Sequence, residues 1–250
     1  MNLPRSCRRL AATSLTLVLT LFGWPAHADS FGRVQVLSNG EIDAATGRSI
    51  TEWGNAWWKW AFDHPEVLGD TTGEFGSLGD VRGPVFFAEG SGGEPFKGSV
   101  DVPRGEYVLL PVATYIWTFF DPCAESRCAR RIINDNFIRN VRSVLVWIDG
   151  KPVGNWSSHI VKVDRNNPQV FLVDAGPIGE DGYGGILPAL QGGYWLMLEP
   201  LPPGPHHVTM RAKIAELDPI TGEPTGGTVT LDSQLTLRAV TCRHHRYCYR

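Results

Sequence analysis

Short apolar runs separated by glycine- and proline-rich breaks make up most of this chain, and two N-terminal stretches depart from that pattern. In the second of them, apolar residues recur every three to four positions from Ile50 to His64. At ~100° per residue, this spacing puts Ile50, Trp53, Trp57, Trp60, Ala61 and His64 on one helical face. Glu52, Asn55, Lys59 and Asp63 fall on the opposite face. Ser49 and Glu52 have the spacing of a capping box, S-x-x-E. Pro65 disfavours helical geometry in the residue before it and so ends the helix. The pattern predicts a helix from the Ser49 cap to about His64, with Trp53, Trp57 and Trp60 spent on burial. Trp58 and Phe62 lie outside the main apolar stripe.

Beyond this helix the period shortens to that of strands. Residues 84–88 and 98–102 are short β-prone runs. Residues 106–120 form a long buried strand, broken or bulged at Pro111, which has no N–H to donate. Residues 121–141 are charged. Ile132, Ile133, Phe137 and Val141 suggest a short helix over 129–140. VRSVLVWIDGKPV reads as strand, tight Asp149-Gly150 turn, strand. SSHIVKVD alternates Ser158, Ile160 and Lys162 against His159, Val161 and Val163, the pattern of a half-buried strand. QVFLVD is another strand, and 178–192 a glycine-rich loop. GGYWLMLEPLPPGPHHVTMRAKI reads as strand, proline turn, strand, and GGTVTLDSQLTLRAV as a last long strand. About ten strands, with Gly 28 and Pro 18 between them, define an all-β chain, a β-sandwich of jelly-roll or Ig-like type. To it are added the Trp-rich helix and the short helix near 129–140.

The first departure is the N-terminus. Arg5, Arg8 and Arg9 precede an apolar run over 10–24, and Ala26-His27-Ala28 matches an A-x-A cleavage site. This is the form of a secretory signal peptide spanning 1–28, leaving a single domain over 29–250 whose tail, 241–250, carries two cysteines. The expected location is periplasmic or extracellular. Cleavage removes three arginines and no acid, taking the formal net charge from −3 to −6. That balance argues against nucleic acid or an anionic membrane surface as partner. No later run is apolar and long enough to span a bilayer, so the chain is not expected to be membrane-embedded. Cys123 and Cys128, and Cys242 and Cys248, form two close pairs. In an oxidising compartment such pairs form disulfides; three pairings exist, and the spacing favours the two local ones.

Candidate chemistry is sparse. Trp58 and Phe62 could present an aromatic patch to a sugar. Asp70, Glu89 and Asp121 stand in or beside loops and could contact a ligand, or pair as general acid and base. An aspartate that satisfies turn amides explains such positions equally, D-T-T-G at 70–73 above all. His64, His159 and His206 read as satisfied, partly buried histidines. Neither H-x-x-x-H nor H-E-x-x-H occurs, and His244-His245 between two cysteines suits a disulfide hairpin better than a metal site. No metal site, cofactor motif or catalytic set is assigned. These features suggest a non-enzymatic binding or structural module for a glycan or a secreted protein. The alternative is a polysaccharide or cell-wall hydrolase working through loop carboxylates.

Several islands occur in a fixed order: Ser49-x-x-Glu52-Trp53, Trp57-Trp58-x-Trp60, D-T-T-G at 70–73, GPVFFAEG at 83–90, VPRG at 102–105, Asp149-Gly150, and GYWLMLEPLPPGPH at 193–206. Together they resemble a family of uncharacterised secreted bacterial proteins. The resemblance covers about 49–210 and implies a shared fold; it brings no catalytic residue with it. In that family, cysteines commonly follow D-T-T-G and precede V-P-x-G. Here residues such as Phe75, Ser77 and Ser99 stand there instead.

Overall fold

The capping box closes on Ser49: Glu52 N–H donates to Ser49 Oγ (3.3 Å) and Ser49 N–H donates to Glu52 Oε2 (2.8 Å). The helix behind it runs Ile50–Asp63, close to its expected bounds. The structure, a computed structural model, describes residues 32–64, 80–90, 95–119, 124–176 and 185–241. All of these belong to one compact unit. In chain order the elements are β1 (Val36–Leu37), α1 (Asn39–Thr46), α2 (Ile50–Asp63), β2 (Asp80–Arg82), β3 (Val85–Phe87), β4 (Phe96–Pro103) and β5 (Tyr107–Thr118). There follow α3 (Ser126–Arg131), a π turn (Ile132–Phe137), a 3-10 turn (Ile138–Asn140), β6 (Ser143–Ile148) and β7 (Lys151–Pro152). After a 3-10 turn (Trp156–His159) come β8 (Ile160–Val161), β9 (Phe171–Asp174), β10 (Ile186–Leu198), β11 (Gly204–Leu217) and β12 (Pro224–Val240).

Two sheets result, in a sandwich-like, all-β arrangement. The first has the order β1-β10-β5-β3-β2, with β8 and β9 also paired to β10; the second is β4-β12-β11-β6-β7. Phe86, Val108, Leu110, Leu196 and Leu198 of the first sheet meet Val100, Val102, Val146, Val208, Met210, Leu235 and Leu237 of the second in the central core. Successive side chains on a strand point to opposite faces. The residues in between, Val85, Phe87, Leu109, Trp195 and Met197, therefore face outward, and α2 covers them with Trp53, Trp57 and Trp60. Over this region β3, β5 and β10 are buried on both faces, which is why they read as nearly continuous apolar runs there. The second sheet turns Arg211 and Lys213 of β11 and Gln234 and Arg238 of β12 to water.

The strand expected over 106–120 forms as β5, and its irregularity falls beside Pro111. Trp195 of β10 faces Pro111 and Tyr194 faces Ala113, so Val112 is the extra residue of a bulge. Next on β10 is Gly193, at φ 133°, where an added Cβ would lie 2.7 Å from Thr114 Cα. The close crossing of the two strands requires glycine there. The Asp149-Gly150 turn has positive φ at both residues, 51° and 74°, as a tight hairpin between twisted strands demands.

Three readings of the sequence need correction. Residues 186–192, expected within a glycine-rich loop over 178–192, are instead the start of β10. SSHIVKVD is mostly not a strand: 156–159 wind as a 3-10 turn, and only Ile160 and Val161 pair. The turn starts at Asn155, which adopts left-handed geometry (φ 55°) that asparagine tolerates. The Trp-rich helix is also not alone, since α1 precedes it with its own box between Ser38 and Glu41. The short helix expected over 129–140 does form, within an Ser126–Asn140 run that changes from α to π to 3-10 winding.

Candidate binding groove

The groove begins with the apolar side of the 126–140 run. Ile132, Ile133, Phe137 and Ile138 are buried against Trp117, Leu190 and Val163, at one end of the sandwich. That packing leaves Arg127, Arg130 and Asn134, at three- and four-residue spacing, on the side turned to the 160–168 segment. Asn134 bolts the two together. Its Nδ2 donates to Val163 O (2.9 Å), and Val163 N–H donates to its Oδ1 (3.0 Å). Asn140 Nδ2 donates to Asn136 O (2.8 Å) and so holds the end of the run.

Two adjoining recesses open beside this clamp. One, of about 370 Å³, is lined by Arg130, Asn134, Asp135, Arg139, Lys162 and Tyr194, among others. The second, of about 520 Å³, is lined by Ser126, Arg127, Arg130, Asp164, Arg165 and Pro168. Arg130 is common to both. Asp135 is occupied by Arg139 (3.0 Å). Asp164 Oδ1 accepts the N–H groups of Asn166 (2.6 Å) and Asn167 (3.0 Å). Those two bonds hold its carboxyl below the usual aspartate range. Arg127, Arg130, Lys162 and Arg165 hold no ion pair among the described residues. Burial pushes the Tyr194 phenol up, so it stays a neutral hydroxyl. The arrangement can take an anionic or hydroxyl-rich ligand through guanidinium forks and one phenol.

The residues singled out in the sequence lie elsewhere. Trp58 and Phe62 are brought together on α2, ring centroids 6.4 Å apart, and both are half-buried against Phe171, Val173 and Ala189. Trp57 meets Trp58 edge-on at 5.1 Å. The Trp58 indole nitrogen is buried without a partner among the described residues. Glu89 is 2 % exposed and follows Ala88, whose carbonyl takes the Trp57 indole N–H (2.9 Å). Asp70 and Asp121 lie outside the described residues. Cys128, on α3, is disulfide-bonded; Cys123, Cys242 and Cys248, and with them the pairing, lie outside the described residues.

The histidines are satisfied or enclosed. His206 Nδ1 faces Asp149 Oδ2 (2.8 Å) and its Nε2 faces Pro202 O (3.0 Å). Asp149 Oδ1 accepts His207 N–H (2.8 Å), which ties the β6–β7 turn to β11. His206 is 1 % exposed, so its ring is enclosed by the protein and turned from any ligand. His159 is 5 % exposed, and burial lowers its pKa below the ordinary histidine value.

Sequence reading passed over the groove. Its local signals were the 127/130/134 spacing and the outward Lys162, and neither reveals that 126–140 packs on 160–168. No family model matches the chain, and neither a curated protein nor a solved structure matches it.

Proposed function

We propose that this chain is an exported, non-enzymatic binding module whose ligand is a glycan. It would belong to the secreted bacterial family that its motifs resemble, act in the periplasm or outside the cell, and pair its cysteines locally, 123–128 and 242–248. The observation that carries the reading is the double groove beside Tyr194. Asn134 ties its two backbone walls together, which lowers the backbone ordering cost of binding. Both groove carboxylates are already engaged, Asp135 by an arginine and Asp164 by two backbone amides. That commitment favours holding a ligand over acid–base chemistry at this place.

The test is a glycan and cell-wall-fragment array with the purified protein, read beside product analysis of each bound glycan. Retention of a glycan without cleavage is the expected result. Cleavage would favour a hydrolase. Absence of any glycan signal would leave a secreted protein as partner. Non-reducing peptide mapping tests the cysteines, and a 123–242 link would refute local pairing.

A further inference from the structure

We infer that the paired grooves take an acidic polysaccharide, one that bears a carboxylate or sulfate on successive sugars, with Arg130 as the shared contact. The inference rests on the glycan-binding reading and names the ligand class within it. Charge placement is the first argument. Over the outer sheet and beside the groove, three arginines are neutralised: Arg211 by Asp232 (2.6 Å), Arg238 by Asp101 (2.6 Å) and Arg131 by Glu223 (2.8 Å). Arg127, Arg130, Lys162 and Arg165 line the two recesses and hold no ion pair among the described residues. On a chain of net charge −3, these four outnumber the ionised Asp164 of the same groove and leave a local positive excess on one short face.

Their distribution is the second argument. Lys162 belongs to one recess, Arg127 and Arg165 to the other, and Arg130 to both. Donors strung along a groove match charges repeated along a polymer. A lone phosphate is better held by donors that converge, commonly backbone N–H groups of a nest. Here the nearest such amides, Asn166 and Asn167, are taken by Asp164. Arginine's planar fork suits a carboxylate or a sulfate oxygen pair. Tyr194 and Asn134 add neutral polar groups for sugar hydroxyls.

The experiment is a calorimetric titration of the purified protein with five probes: oligogalacturonate, a sulfated dextran, neutral dextran, inorganic polyphosphate and single-stranded RNA. Oligogalacturonate or sulfated dextran is expected to bind, with affinity falling as salt is raised from about 0.15 to about 0.5 M. Which of the two binds more tightly identifies the anionic group. Arg130→Ala is expected to weaken binding about tenfold or more, the loss of a charge-assisted contact. Lys162→Ala and Arg165→Ala, at exposed positions that do not threaten folding, should each weaken it severalfold. Arg211→Ala, on the outer sheet, should leave it unchanged. Equal binding of neutral dextran that ignores Arg130→Ala would overturn the charge inference and leave glycan binding standing. No binding of any dextran or oligogalacturonate would remove both. Tighter binding of RNA or polyphosphate would overturn the ligand class.

Discussion

Trp57 shows how a residue chosen for its bulk is fixed by its one polar atom. Its ring meets Trp58, Trp60 and Trp195 edge-on or nearly so, at 5.1, 5.9 and 5.7 Å. Its indole N–H donates to Ala88 O, the carbonyl just past β3. Trp57→Phe keeps most of the apolar area and leaves that carbonyl without its donor. The expected loss is about 1–3 kcal/mol of stability, read from urea unfolding. Burial of Trp53, Trp57 and Trp60 was legible in the sequence because it follows from period alone. Their polar partners were not: Trp53 Nε1 donates to Thr46 Oγ1 (2.7 Å), a residue of the helix that the sequence reading missed. His159 makes the second prediction at this scale. Its folded pKa lies below its ordinary value, 6.5, because burial disfavours the imidazolium, while Glu41 opposes this more weakly. The unfolded chain therefore binds the proton first on acidification. The stability that neutral His159 contributes is full above about pH 6.5 and is lost as pH falls from there toward the folded pKa. His159→Gln should flatten the stability profile in that window. The carboxylates of Glu41 and Glu52, whose pKa values are lowered by their capping bonds to Ser38 and Ser49, act in a separate window below 4.5.

Elements were legible in proportion to how locally they are determined. Helix α2 carries its cap, its period and its stop within seventeen residues, Ser49 to Pro65, and it formed where expected. The 157–163 segment alternates like a strand, yet Val163 N–H is satisfied by the Asn134 side chain and not by a ladder. Alternation cannot distinguish these two outcomes, because both bury His159, Val161 and Val163. The π turn at 132–137 is still less visible, since its wider winding is set by packing. It lets Asn136 donate inward to Gly222 O (2.9 Å) while Asn134, two residues earlier, reaches Val163. The clamp gives the element-scale prediction. Asn134→Ala removes both bonds and leaves a part-buried N–H and C=O to find water. Hydrogen exchange at Val163 should speed up about tenfold or more, with amides of the β11–β12 pair unchanged. Equal protection before and after would show that apolar packing alone holds the groove wall.

Sandwich class could be read from strand count and breaks, but topology could not. β10 and β11 follow one another through a proline turn, as expected, yet they belong to different sheets. β3 lies parallel to β5, and β4 parallel to β12. The 126–140 run and the 160–168 segment meet over β5 and β10, and so the groove exists only at the scale of the whole molecule. Its electrostatics are decided at that scale too. A polyanion approaching this chain meets two fields of opposite sign: four cations in the groove and a net charge of −3, or −6 without residues 1–28. Their reach depends on salt. At about 0.01 M the Debye length is about 30 Å, and the negative surface as a whole opposes approach. At about 0.15 M it is about 8 Å, the distant acids are screened, and the groove's own cations act alone. Still higher salt screens those as well. Affinity for the acidic glycan should therefore pass through a maximum near 0.1 M, where a basic protein would show a continuous decline. Arg130→Ala should lower the whole curve and leave its maximum in place, because it changes the contact and scarcely alters the surrounding field. Titrations from 0.01 to 0.5 M salt measure this directly. A decline from the lowest salt onward would mean that the groove's charges outweigh the chain's net charge even at long range.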